Sequence, residues 1–255
     1  LNVIVCLKQT FDTEERIVIE DGKVSEDGVE FIINPYDEYA VEAAIQLKEE
    51  HGGEVTVITV GPDRAEQALR TALAMGADKA VLINDESLFG DEHTIAKVLA
   101  QAIKRLDYDV ILAGYMAVDG GSAQVGPRLA EELGIPHIST ITDLKVEGKE
   151  ALVEKDVEGD TAYMKAPLPA LFTAQQGLNE PRYPSLPGIM KAKRKPLDRW
   201  DADTLGLNPE DLVSPTEVLE VFLPPEKSAG RVLEGELEDQ IKELVHLLKH
   251  EAKVI

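Results

Sequence analysis

The 255-residue chain has a single cysteine, Cys6, which excludes an intrachain disulfide and any multi-cysteine metal site. Basic residues are scarce: 26 Lys and Arg stand against 48 Asp and Glu. The resulting formal charge of −22 repels phosphate backbones and anionic lipid surfaces over a Debye length, so nucleic acid is not the expected partner. No apolar run approaches the ~20 residues that a membrane-spanning helix needs. The run at 3–7 is too short for a signal-peptide core and has no basic leader, so a cytoplasmic protein without membrane insertion is expected. Neither standard phosphate motif occurs, which disfavours ATP hydrolysis and a standard dinucleotide fold. The five histidines are scattered; His246 and His250 fall at i, i+4 but lack a third ligand, and they read as solvated helix surface, so no metal site is expected. No nucleophile and base pair stands out either, so any redox chemistry has to come from a bound cofactor. What remains, 44% hydrophobic and 29% charged, is the profile of an ordinary globular protein.

Short apolar β-rich runs at 3–7, 55–60, 80–83 and 110–113 alternate with helical patterns, the signature of a mainly parallel sheet covered on both faces. The clearest helix carries Ile95, Val98, Leu99, Ala102, Ile103 and Leu106 on one side. A second carries Ala65, Ala68, Leu69, Ala72 and Leu73 and stops at Gly76, and a third follows Pro35. After Pro136 the pattern changes to an antiparallel hairpin, 138–146 and 151–157, around Glu147-Gly148-Lys149, with a further strand at 169–174. Residues 178–196 carry Pro181, Pro184, Pro187 and Pro196 with little periodicity and read as an ordered surface excursion. A last helix presents Leu237, Ile241, Leu244, Val245 and Leu248 as an apolar stripe that fits its own domain or a partner subunit.

The most informative stretch is 114–127, lying between the strand at 110–113 and a helix of about 127–133. Ligands of open α/β sheets bind outside the carboxyl ends of strands, where helix amino ends attract phosphate, and Gly120, Gly121 and Ser122 let a backbone approach one closely. An ordinary glycine-rich turn has the same composition. Cys6, Asn34 to Asp37 and Val60 frame the same cleft, with Asn34 and Asp37 equally readable as plain helix caps. Acidic pairs such as Glu131-Glu132 read as solvated surface. The one concentrated basic tract, 191–195, follows the apolar, proline-stiffened 186–190, and together they read as a docking patch for an acidic partner or as a solubilising loop.

These segments, in this order, resemble the β subunits of electron transfer flavoproteins, including the nitrogen-fixation branch: 3–8, Asn34-Pro-Tyr-Asp-Glu38, Arg70-Thr-Ala-Leu-Ala-Met-Gly-Ala-Asp78, the 114–127 loop, and Leu178-Asn-Glu-Pro-Arg-Tyr183 through Ile189-Met-Lys-Ala-Lys193. The resemblance spans essentially the whole chain. It implies an adenine nucleotide α-hydrolase-like α/β fold with an antiparallel hairpin and a C-terminal arm. Residues 1–190 would form the nucleotide-binding domain, with a partner-recognition loop at about 183–195, and 191–255 an arm and helix contacting an α subunit that carries the electron-transferring FAD. The family's nucleotide contacts map onto Cys6, Asn34, Pro35, Tyr36, Asp37, Val60, Gly114, Tyr115, Met116, Ala117, Val118, Asp119, Gly120, Gly121, Ser122, Ala123, Gln124 and Val125. Its docking loop maps onto Leu186, Pro187, Ile189 and Met190, with Lys191 and Lys193 beside it. One branch of the family holds AMP here as a structural ligand and serves acyl-CoA-type dehydrogenases. The electron-bifurcating branch holds a second FAD that accepts hydride from NADH, with dehydrogenase or quinone-reductase partners. The segment Asp119-Gly-Gly-Ser-Ala-Gln-Val-Gly-Pro127 is similar to the bifurcating pattern, departing from it at Gly121 and Ser122, and FAD is therefore the expected ligand.

Overall fold

Val3, Ile4 and Val5 are consecutive and all buried, which requires that both faces of their strand be covered. The computed structural model, which describes residues 1–225 and 229–255, satisfies this with a nine-stranded sheet in whose interior that strand, β1 (Asn2–Cys6), lies. A short antiparallel pair follows, β2 (Gln9–Phe11) with β5 (Phe31–Ile33), and the chain between them carries the two-residue strands β3 (Ile19–Glu20) and β4 (Lys23–Val24). Helix α1 (Pro35–His51) leads to β6 (Glu54–Val60), α2 (Glu66–Met75) to β7 (Lys79–Ile83), and α3 (Glu92–Ile103) to β8 (Val110–Gly114). Helix α4 (Val125–Leu133) precedes β9 (His137–Glu147), β10 (Glu150–Val157), β11 (Asp160–Pro167) and β12 (Ala170–Ala174). Then come α5 (Leu186–Ala192), β13 (Leu197–Trp200), α6 (Ala202–Leu205) and α7 (Leu237–Leu247).

The strand order is β11-β10-β9-β12-β8-β1-β6-β7-β13, and every neighbouring pair is parallel except those made by β10. Alternation along β1 divides the core. Val3 and Val5 pack on the side of Val41, Ile45, Leu69 and Leu73, from α1 and α2. Ile4 and Cys6 pack on the side of Val98, Leu99, Ile103 and Leu129, from α3 and α4. The chain therefore winds outward from β1 through β6 to β7 on one face, and returns over the other face to place β8 on the opposite side of β1. That reversal opens a crevice between the carboxyl ends of β1 and β8, the position at which such sheets bind ligands.

The four expected parallel strands, three helices, hairpin and strand at 169–174 are all present, and the helix expected at about 127–133 begins two residues earlier, with Pro127 in its first turn. The short strands β2 to β5 and the one-turn α6 exceed the expectation, and so do three further elements. β11 adds a third strand to the hairpin, α5 orders part of the 178–196 excursion, and β13 is a four-residue edge strand parallel to β7. Two compact units result: Leu1–Val18 with Ser25–Leu219, and Ile19–Val24 with Glu220–Ile255. Residues 191–219, expected in the arm, belong to the first unit because β13 joins its sheet; residues 226–228, also expected there, lie outside the described residues. In the second unit α7 leaves Leu237, Ile241, Leu244 and Val245 exposed, and His246 and His250 stand with ring centroids 4.5 Å apart. No helix among the described residues is long and apolar enough to cross a membrane.

Candidate functional site

An open cleft of about 410 Å³ occupies the crevice, within the usual range for small-molecule sites. Its floor is Cys6 at the end of β1 with Leu7 and Lys8 beyond it, Val60 at the end of β6, and Ala113 and Gly114 at the end of β8. The walls are the loop 114–124, the first turn of α4, and the amino end of α3.

Asp37, in the first turn of α1, is 5% exposed and joins the two central strand ends. Its Oδ2 accepts from the Lys8 N–H at 2.7 Å and its Oδ1 from the Gly114 N–H at 2.7 Å. Burial pushes this carboxyl up to about 7, against the opposing pull of those two bonds, of Asn34 and of Lys8. Asn34 makes no side-chain cap on α1. Its Nδ2 donates to the Met116 carbonyl at 2.9 Å and its Oδ1 accepts from the Val118 N–H at 3.0 Å, so it fixes the loop after β8. Neither residue is a simple helix cap. A Cβ on Gly114 would lie 2.5 Å from Asp37 Oδ1 and 2.7 Å from the Tyr36 backbone, so only glycine admits this crossing.

Beyond Gly114 the loop is held open. Asp119 accepts from Lys8 Nζ at 2.7 Å and from the Gly120 N–H, and Gly121 donates to the Ala117 carbonyl at 2.8 Å. Ala123 lies in the left-handed region at φ +55°, a strain of about 1–2 kcal/mol for an L side chain, of a kind that collects at binding loops. Gln124 gives α4 no side-chain cap, and since Pro127 has no N–H, the first-turn donors left open at the cleft wall are the backbone N–H groups of Val125 and Gly126.

Of the residues expected at the cleft, Cys6, Asn34, Asp37, Val60, Gly114, Tyr115, Met116, Ala117 and Gly120, Gly121, Ser122, Ala123, Gln124 and Val125 line it. Pro35, Tyr36 and Val118 do not. Pro35 begins α1, Tyr36 packs edge-on against Tyr115 with centroids 4.5 Å apart, and Val118 is spent on Asn34. Asp119 lines a smaller neighbouring cavity of about 170 Å³ with Lys8, Glu26 and Arg64. Sequence reasoning missed the wall from α3, Gly90, Asp91, Glu92, Ile95 and Leu99, and also Thr216 and Val218, which lie more than a hundred residues away from it in the chain. Burial, then the nearby Asp37 charge, push the Cys6 thiol far above its ordinary value. Alkylation at pH 8 is therefore expected to leave Cys6 unmodified in the native chain and to modify it fully in denaturant, read by mass spectrometry.

Leu186 and Met190 of α5 are 79% and 73% exposed, with Pro187, Ile189, Lys191 and Lys193 exposed beside them. Ser185 caps this helix by accepting from the Gly188 N–H, and Arg70 Nη1 pins its end by donating to the carbonyls of Ala192 and Lys195. The capping serine and the early proline were the sequence signals for it.

Residues 21–205 match the electron transfer flavoprotein domain model. Over its full length the chain is 59% identical to the whole electron transfer flavoprotein subunit beta of Bacillus subtilis. It belongs to the electron transfer flavoprotein β-subunit family. It is also 46% identical to the subunit beta of Syntrophomonas wolfei, across all of this chain and 98% of that one. To the caffeyl-CoA reductase-Etf complex subunit CarD of Acetobacterium woodii it is 40% identical over 92% of each chain. Membership in this electron transfer flavoprotein family implies flavin-dependent electron transfer together with an α subunit.

Proposed function

We propose that the cleft between β1 and β8 holds an FAD through its adenylate half, and that the heterodimer formed with the α subunit takes hydride from NADH at this site and divides the electrons between the α-subunit FAD and a further acceptor. The observation that carries this reading is the phosphate end of the cleft: an uncapped helix amino end preceded by Gly120, Gly121 and Ser122, with the loop's carboxylate, Asp119, already paired with Lys8. Such an end suits a pyrophosphate, since backbone N–H groups and the helix dipole favour its charge. Bound there, FAD would supply hydride acceptance and stepwise electron release. The chain's own work is positional. Asp37 and Asn34 hold the two strand ends and the loop in register, and Lys8 keeps Asp119 from opposing an anion.

A second reading, structural AMP in a simple electron carrier, draws on the cleft volume of about 410 Å³, which suits the adenylate half alone. The exposed apolar residues of α5, with Lys191 and Lys193, provide the docking face for a partner, by analogy with the caffeyl-CoA reductase in the CarD name. Co-expression with the α subunit, denaturation and chromatography of the released nucleotides separates the two readings. Two FAD per heterodimer, with flavin bleaching on NADH addition, is the expected result. One FAD with one AMP, and no reduction by NADH, would replace it with the second reading.

A further inference from the structure

The outer wall of the cleft is built from two distant segments, the amino end of α3 and residues 214–218, and they meet around Asp91, whose carboxylate and backbone N–H both bond the second segment. Asp91 caps α3 with Oδ1, which accepts from the Thr94 N–H at 3.0 Å. Its other oxygen, Oδ2, accepts from the Thr216 N–H at 3.2 Å and from Thr216 Oγ1 at 2.8 Å. Ser214 Oγ in turn accepts from the Asp91 N–H at 3.1 Å and lies 3.2 Å from Thr94 Oγ1. Gly90 makes room for this meeting, since a Cβ there would stand 2.6 Å from Ser214 Oγ and 2.7 Å from the Thr94 side chain. Gly90, Asp91 and Ile95 line the cleft on one side of the junction, Thr216 and Val218 on the other. Val218 is 80% exposed, so it adds little to the core and is free to cover a ligand.

We propose that residues 214–218 form a strap that closes the nucleotide cleft, and that Asp91 is the positioning residue that holds it. The proposal rests on the reading of the cleft as a nucleotide site and adds what retains the nucleotide. Asp91 serves two segments with different oxygens, so its two roles separate by chemistry. Asparagine keeps an acceptor for the α3 cap, where it ranks with aspartate, but presents an amide in place of the oxygen that receives both Thr216 donors. Because Thr216 and Val218 line the cleft, nucleotide binding and ordering of 214–218 are linked reciprocally.

The test uses the heterodimer with its α subunit and follows exchange of the resident β-site nucleotide against excess FAD and, separately, excess AMP. In Asp91→Asn and in Thr216→Val, exchange is expected to be about tenfold faster than in the parent, because most affinity changes appear in dissociation. The melting temperature of Thr216→Val is expected to stay within about a degree of the parent, a readout that a purely structural role would move. Hydrogen exchange at the Thr216 amide is expected to slow when the cleft is filled. Unchanged nucleotide exchange in both variants, with the parent holding its nucleotide, would overturn the strap and leave the cleft reading standing. A parent heterodimer with no nucleotide on the β subunit would overturn both.

Discussion

Asparagine in place of Asp37 is expected to lower the unfolding free energy by about 2–4 kcal/mol at pH 5 and to deplete the purified heterodimer of β-site nucleotide. Both carboxyl oxygens of Asp37 accept from backbone N–H groups, those of Lys8 and Gly114, within a site that is 5% exposed. An amide of the same shape offers one acceptor oxygen, and its Nδ2 faces the other N–H donor to donor. One bond is lost and one buried donor is orphaned, each costing about 1–3 kcal/mol. Those donors sit at the ends of β1 and β8, so the strain is delivered to the two edges of the cleft. The pH dependence carries its own sign. Burial raises the Asp37 carboxyl from 3.8 to about 7, so between those values the folded chain keeps a proton that the unfolded chain releases. The stabilisation from that proton is full below pH 4 and is lost as pH rises through 7. The Asn variant does not titrate there. Urea denaturation from pH 4 to 8 should therefore show a gap between parent and variant that narrows with rising pH. A gap independent of pH would mean that Asp37 is ionised throughout.

Alanine in place of Arg182 is expected to cost about 2–3 kcal/mol, below the range for a fully buried ion pair, because Glu42 is buried while the Arg182 side chain is 35% exposed. Glu42 on α1 is 3% exposed, and Arg182 reaches it through three bonds: backbone N–H and Nε to Oε2 at 3.1 and 2.8 Å, and Nη2 to Oε1 at 2.9 Å. Glu49 completes the network at 2.6 Å, but it is more than half exposed and contributes little alone. Together the hydrogen bonds that Arg182 donates to Glu49 and Glu42 hold the guanidinium above its usual value. The alanine variant leaves the buried Glu42 carboxylate without its countercharge, held only by the residue-182 backbone N–H and by Gln46 Nε2 at 2.9 Å, so Glu42→Gln in the Arg182→Ala background should recover much of the cost. Lysine, a point charge without a planar fork, should restore less than half. The network also ties down the segment that leads into α5, beside the bond from Asn179 Nδ2 to the Tyr39 carbonyl at 2.9 Å. Limited proteolysis of Arg182→Ala should accordingly cut within 178–193 faster than in the parent, with the sheet core intact. Equal protection would show that Asn179 and the Arg70 clamp suffice.

Which features were legible in the sequence follows from the range of the interactions that make them. Ile95, Val98, Leu99, Ala102 and Ile103 mark α3 through spacing alone, because a helix face is a local property. The β-rich run at 110–113 followed by glycines marked a strand that ends at a ligand loop for the same reason. β13 escaped notice because four residues with two exposed charges carry no periodic signal. Its place at the sheet edge depends on remote contacts, such as those of Arg199 Nη1 with Asp63 and Nη2 with Glu66. The third hairpin strand, β11, is exposed along most of its length, so it lacks the alternation that exposed its neighbour β10.

The sequence by itself determined the acidic α/β character, the alternation of strands and helices, and the family, because composition, short-range periodicity and ordered motifs survive without a fold. Only the tertiary structure decided what Asn34, Asp37 and Asp91 do. Each is a plausible helix cap by position, yet Asn34 and Asp37 spend their side chains on a loop and two strand ends, the Asp37 bond to Gly114 spanning 77 residues. Asp91 does cap its helix, and its second oxygen reaches 125 residues along the chain to Thr216. A carboxylate has two oxygens and a sequence names neither of their partners; those are chosen when folding brings distant backbone donors within hydrogen-bond reach.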